Sequence, residues 1–228
     1  MNSLNDWTSC DRPSSAVLKG NYVTLERLSA EKHGDELYVA STMPDADQRF
    51  RWLFEYPPES RGAFQSWLEM VEKSLDPLFY AVIDHRSGKV AGRQTLMRID
   101  EKNGVIETGS IFWSSIISQT PATTEAFYLF AKYVFEDLGY RRFEWKCNNR
   151  NEPSKNAALR YGMKAEGVFR QHMIVKNENR DTSWFSMLDS EWPICKAAFD
   201  LWLHPENFDE NGLQKRKLGE IRGYLQAV

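Results

Sequence analysis

The alternation of apolar and polar positions marks a series of strands. NYVTLERL sets Val23 and Leu25 against Tyr22, Thr24 and Glu26, and PLFYAVID and KVAGRQTLMRID follow as two strands joined by the turn HRSG. In IETGSIFW, a period of two places Ile106, Thr108, Ser110 and Phe112 on one face and Glu107, Gly109, Ile111 and Trp113 on the other, so Glu107 is expected beside Trp113. RFEWKC sets Phe143, Trp145 and Cys147 against Arg142, Glu144 and Lys146, while GVFRQHMIVK and TSWFSMLD read as a hairpin about the turn NENR. Helical spacing appears between these runs. AEKHGDELYVAS is capped by Ser29, a second helix runs through Phe64, Trp67, Leu68 and Val71, and a third buries Phe127, Phe130, Ala131, Val134 and Leu138 with Lys132 and Glu136 on its wet side. A fourth, short helix starts after Asn151 with Pro153 in its first turn and stops at Gly162. The order β-α-α-β-β-β-α-β-α-β-β describes a mixed sheet flanked by helices, an α/β or α+β layered domain.

The flanks differ from this body. Residues 1–18 are polar, with Pro13, Ser14 and Ser15, and read as a flexible arm whose only anchor is Trp7. From residue 193 the tail EWPICKAAFDLWLHPENF begins as a helix, and GLQKRKLGEIRGYLQAV reads as charged and peripheral, giving a helical extension over 193–228. Composition narrows the class. A net charge of -3 and a pI near 5.9 weigh against a nucleic-acid binder, and no apolar run is long enough to span a bilayer, so a cytoplasmic protein is expected. Cys10, Cys147 and Cys195 are far apart with no CxxC, which predicts neither disulfides nor a structural metal.

Two features suggest chemistry. Pro121 and the run Thr123-Thr124-Glu125 mark a helix start, where a threonine hydroxyl can accept from the first amides and free amides attract phosphate. Phe50, Trp52, Phe54 and Tyr56 precede the break at Pro57, either as core filling or as an aromatic wall around a small substrate.

The order of elements, with IETGSIFW and SQTPATTEA, FEDLGYRRFEWKC, NEPSKNAALRYGMKAEGVFRQ and RDTSWFSMLDSEW, resembles the GNAT superfamily of acyl-CoA N-acyltransferases. Within it the chain resembles the RimJ/RimL ribosomal-protein N-terminal acetyltransferase branch. The resemblance covers residues 19–192 and implies a mostly antiparallel sheet splayed between its fourth strand and the strand after the central helix. Acetyl-CoA would lie in that splay as co-substrate, against Ile111, Phe112 and Trp113 and near Asn151, with its pyrophosphate on the turn Gln119, Thr120, Ala122, Thr123 and Thr124. This turn has Ala122 and Thr124 where the family places glycine-like residues.

The same resemblance assigns roles. Glu107 matches a glutamate used as general base, or one that holds a neighbouring strand or substrate. Ser154 matches the serine placed near the thioester sulfur, where it orients or protonates the thiol, or serves only as a first-turn serine behind Asn151. The tyrosine many members use as acid is Ala158 here, and Met173 stands where the branch has a glutamate. His172 reads as a base or as a structural histidine. The expected reaction is acetylation of a primary amine, on a protein N-terminus or a small molecule, with Trp52, Tyr56 and His172 toward the acceptor and no metal. The rival reading is a non-catalytic acyl-CoA-binding protein. A homodimer through an edge strand is the assembly the pattern allows.

Overall fold

The computed structural model describes residues 4–14 and 17–227. After the two-residue strand β1 (Leu18–Lys19), β2 (Val23–Arg27) leads to α1 (Ala30–Ser41), α2 (Ala46–Phe50) and α3 (Arg61–Val71). The meander β3 (Leu78–Asp84), β4 (Lys89–Asp100) and β5 (Val105–Trp113) comes next, then α4 (Pro121–Lys132), which runs on into a π turn over Tyr133–Asp137. β6 (Arg142–Asn148), α5 (Glu152–Tyr161), β7 (Lys164–Val175), β8 (Glu178–Leu188), α6 (Trp192–Leu203) and α7 (Leu218–Ala227) complete the chain. The strands form one sheet in the order β1-β2-β3-β4-β5-β6-β8-β7, antiparallel throughout except for β5 and β6. This is the mixed α/β sandwich expected, with the parallel pair made by the α4 crossover.

Each sheet face has its own core. Tyr80, Val82, Ile106, Phe143, Trp145 and Phe185 pack under α4 and α6, where Phe127 stacks on Tyr161 at 4.4 Å. Phe79, Ala81, Val90 and Phe112 pack under α1 and α3. Ser29 caps α1 as expected, accepting from the Lys32 amide at 3.3 Å.

Three expectations need correction. First, Ser110 and Ile111 of β5 oppose the single residue Gln94 of β4, a bulge in which Ser110 has φ 45°. The extra residue reverses the facing of the rest of the strand. Phe112 therefore joins the Glu107 face and packs on Phe50 at 4.8 Å, while Trp113 turns to the α4 side. Buried Arg93 supports the bulge by donating to the Ser110 carbonyl at 2.6 Å, pairing with Glu55 and stacking on Trp67 at 4.9 Å; burial pulls its pKa down to about 9.

Second, the last hairpin turns at Lys176 and Asn177, both at positive φ, and not over Asn177–Arg180. A two-residue turn with both φ positive matches the twist of the flanking strands and favours asparagine. Arg180 is consequently a strand residue facing Met173.

Third, the C-terminal stretch is not merely peripheral. Leu218 and Ile221 are buried, and Arg222 donates to the carbonyls of Arg160 and Leu159 at the end of α5. Within residues 4–14, Trp7 donates to the Lys102 carbonyl, but it is not the only anchor. Arg12 pairs with Glu101 at 2.6 Å and the Ser14 amide donates to Tyr133; Ser15 falls outside the described residues.

Candidate active site

The parallel pairing of β5 with β6 begins at Val105 and Arg142 and stops at Thr108 and Trp145. Beyond it, β5 stays with β4 across its bulge and β6 stays with β8, so residues 109–113 and 146–148 separate. The gap holds a cavity of about 310 Å³. Its lining comes from both faces of the sheet, so the opening passes through it. Trp145, Cys147, Asn151 and Ser154 line the α4 side, and Glu107, Lys146, Arg180 and Thr182 the other, with Trp52 and Phe54 from the loop after α2.

Glu107 is 4 % exposed. Its Oε2 accepts from the Lys146 ammonium at 2.6 Å and pairs with Arg98 at 3.2 Å, whereas Oε1 has no hydrogen bond among the described residues. Lys146 itself sits 3.6 Å over the Trp184 ring and reaches Glu144, which is paired with Arg142. Burial raises the Glu107 pKa above the ordinary carboxylate value, and Lys146 and then Arg98 oppose the rise without cancelling it. Arg98 reaches the site because it lies at positive φ in a second bulge, whose amides at 98 and 99 are bound by the Asp76 carboxylate at 2.8 and 3.1 Å.

On the other side, the Ser154 hydroxyl accepts from the Trp145 indole at 3.0 Å. Cys147 lines the same wall, and burial pushes its thiol pKa up. The Asn151 side chain caps α5, accepting from the Ser154 amide at 3.2 Å. That bond places the serine at the cavity wall.

The remaining expected residues fall into three groups. Ile111 lines the opening, but Phe112 is turned into the α1 core and the Trp113 indole donates to Gln94 at 3.3 Å, so any contact with a ligand there falls to backbone. At the start of α4, the threonines do not cap. Thr120 donates to the Ile117 carbonyl at 2.7 Å, Thr123 donates to Thr120, and Thr124 accepts from Arg160 at 2.9 Å. With Pro121 supplying no amide, the Ala122 and Thr123 amides have no intrahelical or side-chain acceptor among the described residues, which suits an anion. Ala122 and Thr124 lie inside the helix, and only Gln119, at φ 60°, takes the conformation that glycine would ease.

Trp52 and His172 line the cavity, and His172 shares a hydrogen bond with Thr182 at 3.0 Å. Tyr56 does not line it. It is 65 % exposed, with the Lys176 ammonium 4.4 Å over its ring. The residues that sequence reasoning missed are Arg98, Lys146 and Arg180. Lys146 had a visible signal, since Arg142, Glu144 and Lys146 put three charges on one face of a strand inside a sheet. Arg180 had none once it was placed in a turn.

Among the described residues no group of His, Cys, Asp or Glu could hold a metal ion, and no helix is long and apolar enough to cross a membrane. Residues 23–164 match the family model described as an acetyltransferase (GNAT) domain. The chain is similar to the crystal structure of a GCN5-related N-acetyltransferase from Brucella melitensis, at 60 % identity and TM-score 0.96 over 96 % of this chain and 100 % of that one. A Chromobacterium violaceum protein assigned by name to the GNAT acetyltransferases is 36 % identical, with TM-score 0.78 over 85 % of this chain and 96 % of that one. An acetyltransferase from Salmonella typhimurium that modifies the N-terminal serine of a 50S ribosomal subunit protein shares the fold, with TM-score 0.66 at 14 % identity over 76 % of this chain and 99 % of that one. No curated protein matches.

Proposed function

We propose, from the premise that this chain belongs to the GNAT acetyltransferase family and is an acyltransferase, that it transfers an acetyl group from acetyl-CoA to a primary amine at the opening between β5 and β6. The observation that carries the reading is the position of Glu107 and Ser154 on opposite sides of one opening through the sheet, with Glu107 Oε1 unengaged. The family generally uses acetyl-CoA, and the residues present suit it: a gap lined by strand edges, and an uncapped helix start for the pyrophosphate at Gln119, Thr120, Ala122, Thr123 and Thr124. Bound acetyl-CoA supplies the thioester carbon that the amine attacks.

The protein's part is to hold and move protons. An ammonium must lose one before it can attack, and Glu107 Oε1 is the acceptor, its affinity for the proton raised by burial. Lys146 and Arg98 fix the carboxylate through its other oxygen. As the new N–C bond forms and the C–S bond breaks, the nitrogen gives up its second proton to water and the departing sulfur takes one, for which the Ser154 hydroxyl, accepting from the Trp145 indole, is the candidate donor, regaining its own proton from water. Backbone at the bulge, near Ile111 and Phe112, is the candidate holder of the acetyl oxygen. The acceptor is a compact amine against Trp52 and His172, taken in the cytoplasm.

Calorimetric titration with acetyl-CoA and with free CoA, followed by an amine screen with thiol detection, tests this. Micromolar binding and thiol release with at least one amine are expected. Binding of neither ligand would overturn the reading.

A further inference from the structure

Arg180 is 8 % exposed, and its Nε is a buried donor with no acceptor among the described residues. Among the described residues no side-chain hydrogen bond or ion pair engages its guanidinium, which packs 5.0 Å over the Phe54 ring and lines the cavity. A buried charged donor without a partner is costly, so an arginine kept in this state points to an acceptor that arrives from outside.

The register says which side of the sheet that ligand occupies. Lys146 faces Trp184 and Asn148 faces Thr182, so Arg180, two residues further along β8, lies on the same face as Lys146 and Glu107. That is the face opposite Ser154 and α4, away from the helix start suited to pyrophosphate. Around it the lining is cationic: Arg49, Arg98, Lys146 and Arg180 against the single carboxylate Glu107. Of the four, Arg98 and Lys146 are committed to Glu107 and Arg49 to Asp45 and Ser118. Only Arg180 is unspent.

We infer that Arg180 is a binding residue for a carboxylate carried by the acceptor, and that the acetylated substrate is a compact primary amine bearing that acid, of the amino-acid type. This deepens the function proposed above and rests on it. The planar fork of a guanidinium matches a carboxylate in two parallel hydrogen bonds, and Phe54 holds the plane in place. Glu107 lies on the same side to take the ammonium proton, so one substrate satisfies both ends: its amine at the carboxylate, its acid at the guanidinium.

The test uses matched pairs of amines, each an amino acid and its carboxamide. In thermal-shift titrations of the CoA-bound protein, at least one acid should raise Tm while its amide does not, and Arg180→Gln should remove the difference. In turnover with acetyl-CoA, the acid should exceed its amide by about tenfold to a hundredfold in kcat/KM, mostly through KM, and the ratio should fall toward one in Arg180→Gln and recover partly in Arg180→Lys. If Arg180→Gln does not fold, the wild-type acid-to-amide comparison still decides. Equal shifts and equal rates for acids and amides would overturn the inference, as would loss of acetyl-CoA affinity in Arg180→Gln, which would assign the arginine to the co-substrate. Binding of acids without thiol release would uphold the carboxylate site and count against the proposed reaction.

Discussion

Two buried glutamates, 107 and 125, are exposed to nearly the same small extent, 4 % and 2 %, yet their surroundings differ in kind. Glu125, in the second turn of α4, is saturated: its Oε1 accepts from the Asn21 amide at 2.7 Å, and its Oε2 from the amides of Tyr22 and Val23 at 2.6 and 2.8 Å. Gly20 makes room for it, because a Cβ there would collide with the carboxylate. Those bonds hold the entry of β2 to the crossover helix and leave nothing for a ligand. Glu107 is bound by movable side-chain cations through one oxygen only, and the other is open to the cavity. A buried carboxylate tied to backbone amides is a structural clamp, while one tied by side chains on one oxygen retains a proton site.

The sharpest way to break this contrast is to neutralise each carboxylate. Glu107→Gln keeps the shape and should lower kcat/KM by about a hundredfold or more, the usual worth of a general base. In the wild type the rate should rise with pH through an apparent pKa above the ordinary carboxylate range, since burial favours the protonated form. That limb should vanish in the variant. A wild-type-like pH profile in Glu107→Gln would reduce Glu107 to an ion-pair partner of Lys146.

Glu125→Ala should do the opposite. It strips three amides of their acceptor and should cost about 3 kcal/mol or more of stability, at roughly 1–3 kcal/mol per buried donor left unmade. Urea denaturation measures the loss, and the pH dependence of the remaining activity should be unchanged.

Ser154→Ala tests the far side of the opening. It removes the hydroxyl that accepts from the Trp145 indole, and the expected drop in kcat is about tenfold, below the usual range for a positioned proton donor because water can partly take its role. Unchanged turnover would leave Ser154 as a first-turn serine behind the Asn151 cap.

How much of this could be read beforehand depends on the physical origin of each feature. The helices and strands were legible because burial of one face imposes a period, and the RFEWKC strand, the crossover and the Ser29 cap stand where the pattern put them. Strand faces past Ser110 were not. A bulge inserts one residue without disturbing local polarity, so IETGSIFW still alternates on paper while Phe112 and Trp113 exchange sides. Arg180 was lost for a related reason, since NENR looks like a turn and the actual reversal is centred two residues earlier, at Lys176 and Asn177. Glu125 was legible as a dipole partner at a helix start, but its three amides come from residues more than a hundred positions away, a pairing only the fold reveals.

Glu166 gives the smallest and most calibrated test of the same contrast. Arg142 grips both its oxygens at 2.6 Å, and Ser186 donates to one of them at 2.6 Å, yet the side chain is 41 % exposed. The Arg142 fork holds its pKa down to about 2. A carboxylate with a depressed folded pKa stabilises the protein above its unfolded pKa, and that stabilisation is lost as pH falls through the folded value. Water screens this pair, so Glu166→Gln should cost under about 1 kcal/mol at neutral pH despite the ideal geometry. The difference between variant and wild type should shrink as urea midpoints are taken from pH 7 toward pH 3. A loss as large as that of Glu125→Ala would mean that the Arg142 fork, through Glu144 and Lys146, braces the Glu107 site itself.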